Sequence, residues 1–300
     1  MDKPYTGQTY LITGAGNGLG FEYAKLLAAK GAHVVINDLG GAPDGSGASS
    51  SAAEHAASTL TDAGGSASAN TADVTNEDQV RDMIDQAFAI TGTLDGLICN
   101  AGILRDKMLF NMTPHDWDIV QNVHLRGHFL PLHFAAAKWR QQSKEQGAPV
   151  DASVVLTSSR SGLYSSAGQL NYASAKAGIA SMAIVAAREL EKYGVRVNAI
   201  APMAATRLTE GSFGEIASKR WEPANVAPMP VYLASPESHD INGQVFIVGG
   251  GRVEWMKTWE PQNAIDAAGE LTHSFLTDNI GKLFAGRDTR PAPFPTATWD

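Results

Sequence analysis

The sequence predicts an α/β fold, a single doubly wound sheet of seven parallel strands with a C-terminal extension. Three observations carry this. Short apolar, β-branched runs alternate with longer helical patterns through the first 250 residues, and strands apolar throughout suit a parallel sheet covered on both faces. A glycine-rich turn follows the first run directly. No internal repeat or linker interrupts the alternation.

The elements follow in order. Residues 9–13 form the first strand, and 18–30 a helix closed by Gly31. The second strand spans 32–38. A loop rich in Gly, Ser and Ala, 40–51, leads to a helix near 52–63. The third strand covers 66–71, and Asn76 caps a helix running to about Ile90. The fourth strand is 94–100. Thr113 and Pro114 read as N-cap and first residue of a long helix ending near Gln142. The fifth strand, 153–158, precedes a second long helix, 170–193, and strands six and seven are 195–200 and 244–248. Right-handed crossovers then give the doubly wound order. Proline and charge become denser after Gly251, so a domain over 1–250 is expected to precede an extension over 251–300.

Composition excludes several classes. The 300 residues are 44% hydrophobic and 18% charged, which suits one large folded domain. The formal charge is 23 − 31 = −8. That argues against nucleic acid or an acidic membrane surface as partner. Cys99 is the one cysteine, so no internal disulfide forms and a reducing, cytoplasmic setting is expected. The first residues lack the apolar run of a secretory signal, so no leader is expected, and no apolar run reaches the length of about 18 residues that a membrane span needs.

The turn after the first strand reads T-G-x-x-x-G-x-G, with Gly14, Gly18 and Gly20 around Asn17 and Leu19. Glycines let a backbone approach a pyrophosphate, and the following helix N-terminus offers N–H groups. Asp38 ends the second strand, where a carboxylate can accept from ribose hydroxyls and repel a 2′-phosphate. Between Gly31 and Arg81 there is no Lys or Arg to neutralise such a phosphate, so NAD is preferred over NADP. Asp73 and Val74, after the third strand, are placed to hold the adenine. Asn100, Ala101 and Gly102, after the fourth, let the backbone pass close to a ligand. No metal site is expected.

Tyr172 and Lys176 lie at i and i+4 on one helix face. An ammonium beside a phenol favours the phenolate and makes Tyr172 a candidate acid/base. Ser159 lies just past the fifth strand, at the sheet edge where such folds bind ligands, and its hydroxyl can donate to a substrate oxygen.

Together the T-G-x-x-x-G-x-G turn, Asn100-Ala101-Gly102, Ser159, Y-x-x-x-K and the late Gly243-Gln244…Gly249-Gly250 resemble the short-chain dehydrogenase/reductase family over residues 5–250. The resemblance implies a Rossmann-type fold and hydride transfer between NAD and a secondary alcohol or ketone. It makes Tyr172 the acid/base, Lys176 its partner and a ribose ligand, and Ser159 the orienter of the substrate oxygen. Pro202 and Ala204 would flank the nicotinamide. The family's usual catalytic Asn is absent: the matching step reads His124-Leu125-Arg126-Gly127. Asn122 is two residues away, about 200° around a regular helix. His124 would take the Asn's place.

Further strings, Asn37-Asp38-Leu39-Gly40-Gly41, Gly102-Ile103-Leu104-Arg105-Asp106 and Val123-His124-Leu125-Arg126-Gly127, resemble the (3R)-hydroxyacyl-CoA dehydrogenase branch found in peroxisomal multifunctional enzymes of type 2. That branch shares the His and carries a C-terminal extension. It implies oxidation of a (3R)-3-hydroxyacyl-CoA to the 3-oxoacyl-CoA, as in β-oxidation, by a homodimer or homotetramer packed through its two long helices. The substrate pocket would involve 162–168 and 204–223. Arg105, Lys107, Arg126, Arg207, Lys219 and Arg220 are candidates to meet CoA phosphates. Trp255, Trp259 and Phe275 could wall the entrance. Two other readings stay open: a 17β-hydroxysteroid or sterol side-chain CoA dehydrogenase, and a nucleotide-binding sensor without turnover.

Overall fold

The computed structural model describes residues 3–206, 219–257 and 259–295. Eight strands form one sheet: β1 (Thr9–Thr13), β2 (His33–Asn37), β3 (Ser66–Asn70), β4 (Gly96–Cys99), β5 (Ala152–Thr157), β6 (Val195–Met203), β7 (Val245–Gly249) and β8 (Arg252–Met256). Their order is β3-β2-β1-β4-β5-β6-β7-β8. The seven expected strands are present and parallel.

The eighth strand was not expected. It returns antiparallel along β7, with Trp255 opposite Phe246. Gly250 (φ 56°) and Gly251 (φ 79°) make the two-residue turn between them. Both residues of such a turn need positive φ, which glycine adopts without strain. The first compact unit runs to Met256, and the second begins at Lys257.

Strand residues alternate between two apolar layers. Leu11, Val35, Leu97, Val154 and Val197 face one layer. It is completed by α3 (Glu77–Thr91), α5 (Gly127–Gln146) and α7 (Leu170–Leu190), defined here after α1 (Gly18–Ala29), α2 (Ser51–Asp62), α4 (Pro114–Gln121) and α6 (Arg160–Tyr164). Met83, Trp139 and Ile179 come from that side. Tyr10, Ile12, Val34, Ile36, Ile98 and Val155 face the other, against Tyr23 and Leu27 of α1, Leu60 of α2 and Val231 of α8 (Pro228–Leu233). In the second unit, α9 (His273–Phe284) is capped by Thr272.

The first long helix is not continuous. Thr113 and Asp116 form a reciprocal capping box and Pro114 follows, as the sequence indicates. A π turn at Asn122–Arg126 then separates α4 from α5. Such turns insert a residue into the helical ladder and redirect the side chains they carry; this one carries His124. Among the described residues, no helix is long and apolar enough to cross a membrane.

Candidate active site

Strand order reverses beside β1, with β2 on one side and β4 on the other. The crevice this opens at the strand C-termini holds a cavity of ≈ 400 Å³. Gly14, Asn17, Gly18 and Leu19 form part of its wall. Gly14 has φ 64°, and a Cβ there would lie 2.7 Å from Ala101 Cα, so the turn packs directly on the segment after β4. Thr13 Oγ1 locks the two together, accepting from Asn100 N (3.0 Å) and Ala101 N (3.2 Å), while Asn100 Nδ2 donates to Gly14 O (3.0 Å). Gly18, with φ 56°, faces open space. Gly20 does not line the cavity; its absent side chain leaves room for the Gly14 carbonyl, and its place is beneath the turn.

Asp38 follows β2 and lines the cavity. Its Oδ2 accepts from Gly16 N (2.8 Å) and its Oδ1 from Gly40 N (2.7 Å). The carboxylate is thus fixed before any ligand arrives. Ala72, Asp73, Val74, Asn100, Ala101, Gly102, Pro202 and Ala204 also line the cavity. The loop after Asp38 was not marked by sequence reasoning. It folds onto the segment after β4 through Leu104 N to Pro43 O (3.0 Å) and Arg105 Nε to Asp44 O (2.9 Å), which brings Pro43 and Gly45 to the wall. These glycine positions and the preset carboxylate fit a nicotinamide dinucleotide.

Ser159, Tyr172, Lys176 and His124 meet at the other end of the same cavity. Ser159 is the N-cap of α6, its Oγ accepting from Ser161 N (3.1 Å), and its hydroxyl acts on the Tyr172 phenol. Lys176 is tied twice to the end of β5: Nζ donates to Thr157 O (2.6 Å), and Ser158 Oγ donates to Lys176 O (2.7 Å). Its Nζ lies 5.5 Å from the Tyr172 ring centre. His124 is buried, its ring edge-on to Tyr172 at 5.0 Å. Its Nε2 lies 3.1 Å from Ile103 N and 2.7 Å from Ile103 O, and its Nδ1 has no partner. Gly102 makes this possible, because a Cβ there would run into the His124 ring.

The electrostatics correct one expectation. Lys176 does not pull the Tyr172 phenol down in the ligand-free site. Burial pushes Tyr172 up to about 12, against a smaller lowering by its Ser159 hydrogen bond. Burial also lowers Lys176 to about 7. Among the described residues the ammonium donates to one acceptor, the Thr157 carbonyl, and burial disfavours its charge as it disfavours the phenolate. Burial, then the nearby Lys176, holds His124 well below the usual imidazole range, so it is neutral.

The basic candidates divide. Lys107 (2.7 Å) and Arg105 (3.6 Å) both turn to the buried carboxylate of Asp116, which also serves the α4 cap. Arg126 pairs with Glu77 at 3.9 Å, and Arg220 Nε donates to Gly250 O (3.1 Å). Lys219 is exposed, in a short 3₁₀ turn. Arg207 lies outside the described residues. Trp255 is half-exposed on β8 and donates to Gln244 Oε1 (2.7 Å), Trp259 is exposed, and Phe275 lies on α9. Among the described residues, no group of three His, Cys, Asp or Glu side chains could hold a metal ion.

The short chain dehydrogenase family model matches residues 8–213. The chain belongs to that family. It is an oxidoreductase acting on hydroxyl groups, and its family binds a nicotinamide cofactor. It is 39% identical over 291 residues to the hydroxyacyl-CoA dehydrogenase ChsB1 of Mycobacterium tuberculosis, covering 94% of this chain and 90% of that protein. It is 40% identical over 239 residues to the peroxisomal multifunctional enzyme type 2 of Drosophila melanogaster, covering 80% of this chain and 38% of that one. A short chain dehydrogenase from Mycobacterium avium superposes with a TM-score of 0.85 at 40% identity, covering 97% and 98% of the two chains. A gluconate 5-dehydrogenase from Burkholderia cenocepacia, solved with NADP and tartrate, superposes with a TM-score of 0.71 at 27% identity, covering 83% and 97%.

Proposed function

We propose that the chain is an NAD-dependent dehydrogenase that oxidises a (3R)-3-hydroxyacyl-CoA to the 3-oxoacyl-CoA. The observation that carries the chemistry is the convergence of Ser159, Tyr172 and Lys176 on one cavity with the glycine turn and Asp38. The likeness to a hydroxyacyl-CoA dehydrogenase and to multifunctional enzymes of type 2 supports the substrate class. Asp38 supports NAD: its carboxylate is held facing the cavity by two backbone N–H groups, and a 2′-phosphate beside it would be repelled.

The bound cofactor supplies a hydride acceptor for the carbinol carbon. Asp38 holds the adenosine ribose, and Gly14, Gly18 and the helix α1 N-terminus hold the pyrophosphate. Pro202 and Ala204 back the nicotinamide. Ser159 donates a hydrogen bond to the substrate oxygen. Tyr172 takes the hydroxyl proton in oxidation and returns it in reduction. Lys176 binds the nicotinamide ribose and, when protonated, favours the phenolate. His124 holds the loop at Ile103 against Tyr172. Exposed Phe129 on α5 and Val185 on α7 support a homo-oligomer packed through the two long helices.

The test is NADH formation with NAD across (3R)- and (3S)-3-hydroxyacyl-CoAs, estradiol, testosterone and a simple secondary alcohol. Preference for the (3R)-thioesters supports the reading. The engagement of Arg105 and Lys107 with Asp116 favours a free steroid as the second reading, and inert thioesters with active steroids would establish it. Tyr172→Phe should lower turnover by about 10²–10⁴-fold while NAD binding holds. Wild-type turnover in that variant would remove Tyr172 from the chemistry.

A further inference from the structure

Asp106 lies in the segment after β4 and is exposed. It starts a chain of hydrogen bonds ending on Ser159. Gln169 Nε2 donates to Asp106 Oδ2 (2.6 Å), Ser161 Oγ donates to Gln169 Oε1 (2.7 Å), and Ser161 N donates to Ser159 Oγ (3.1 Å). A backbone bridge between Lys107 and Gln169 holds the first two elements side by side.

We propose that Asp106 is a positioning residue for the active site: through Gln169 and the Ser161 side chain it anchors the start of α6, whose Ser161 N–H holds the Ser159 hydroxyl oxygen. This rests on the roles proposed above for Ser159 and Tyr172.

The polarity of the chain follows from its first member. A carboxylate only accepts, so the amide of Gln169 must turn its NH₂ toward Asp106. Its carbonyl then faces Ser161, which must donate its hydroxyl. Ser161 N–H occupies a lone pair of Ser159 Oγ, which leaves the Ser159 proton free to be donated across the site. With Asp106 removed, the Gln169 amide is free to rotate by half a turn, and its hold on the Ser161 side chain loosens. The segment being held, α6, is only five residues long.

The charge of Asp106 has a second effect. Its sequence neighbours Arg105 and Lys107 are both committed to Asp116. Among the described residues, no Lys, Arg or His is recorded within ion-pair distance of Asp106. At Tyr172 its charge favours the phenol, a smaller effect than that of burial or of the Ser159 hydroxyl. The other groups facing Tyr172 are Ser159 from the β5–α6 junction, His124 from the π turn and Lys176 from α7. None of these carries negative charge.

Two variants separate orientation from charge. Gln169→Leu breaks the chain and leaves the carboxylate in place. It should lower kcat by about ten- to a hundredfold with KM nearly unchanged and no movement of the pH profile. Asp106→Asn keeps an acceptor for Gln169 and removes the charge. The acid limb of alcohol oxidation, which rises as Tyr172 loses its proton, should then move to lower pH. Wild-type kcat in Gln169→Leu would overturn the orienting role. A profile unmoved in Asp106→Asn would overturn the charge effect.

NMR of Cζ-labelled tyrosine, with Tyr172 assigned through Tyr172→Phe, reads the same ionisation without turnover. A Tyr172 titration that moves in Asp106→Asn supports the proposal even if no tested alcohol is oxidised, in which case the functional reading alone fails. A titration that stays put overturns the charge effect even if the enzyme oxidises hydroxyacyl-CoA.

Discussion

Gly102→Ala should destabilise the protein through one neighbour, His124. Gly102 has no positive φ, so alanine meets no backbone strain there. The three atoms nearest its added methyl all belong to the His124 ring, with Nδ1 at 3.1 Å and Nε2 at 3.2 Å. The ring cannot retreat freely, because Nε2 is engaged with the backbone of Ile103 and the ring edge meets Tyr172. Overpacking of this kind costs about 1–3 kcal/mol, and stripping a buried polar group of its partner about 1–3 kcal/mol. A loss of about 2–4 kcal/mol is expected. In a His124→Asn background the shorter side chain clears the methyl, and the same change should cost under about 1 kcal/mol. The double-mutant cycle, read by urea denaturation at fixed protein concentration, should show a coupling of about 2 kcal/mol. Additive effects would mean that the His124 ring does not sit against Gly102, and the account of this corner of the site would fail.

Two further predictions concern charge. Lys176 is lowered to about 7 by burial, so between about pH 7 and its unfolded value of about 10.4 the unfolded chain binds a proton that the folded one lacks. Its contribution to stability therefore rises with pH across that window. Lys176→Met should flatten this rise in the ligand-free protein and stabilise it near neutral pH, while abolishing turnover. Equal pH slopes for the two proteins by denaturant titration would contradict the buried, depressed ammonium. Asp38→Ala should weaken NAD by about ten- to a hundredfold, the range for hydrogen bonds to a charged group, and raise NADP use relative to NAD. An unchanged ratio of kcat/KM for the two cofactors would show that Asp38 does not select between them.

Which features were legible depended on how local their physics is. Thr113-Pro114 and Asn76 announced helix starts because a cap needs only a few consecutive residues, and both cap as expected. The parallel strands were legible because burial on both faces leaves an unbroken apolar run, as in Leu11–Ile12 and Val34–Ile36. β8 was missed although its turn, Gly250-Gly251, is the usual signal for a tight hairpin. Its strand reads RVEWM, half-exposed and mixed in polarity, so periodicity pointed to loop. An edge strand paired on one side has no need of the apolar run that marked its neighbours.

The site divides in the same way. Gly14, Gly18, Asp38, Ser159, Tyr172 and Lys176 sit in short motifs, and the fold brings them to one cavity. The groups that orient them do not. Asp106, Ser161 and Gln169 are ordinary polar residues in sequence, and their meaning comes from distances closed across three separate segments. The expectation of a phenol lowered by Lys176 used a true local fact, that the two residues share a helix face. It omitted the dielectric. Lys176 is buried and Tyr172 partly so, and burial acts on each charged form separately before either can help the other. Spacing along a helix sets which groups meet, but only the packing around them decides which protonation state they meet in.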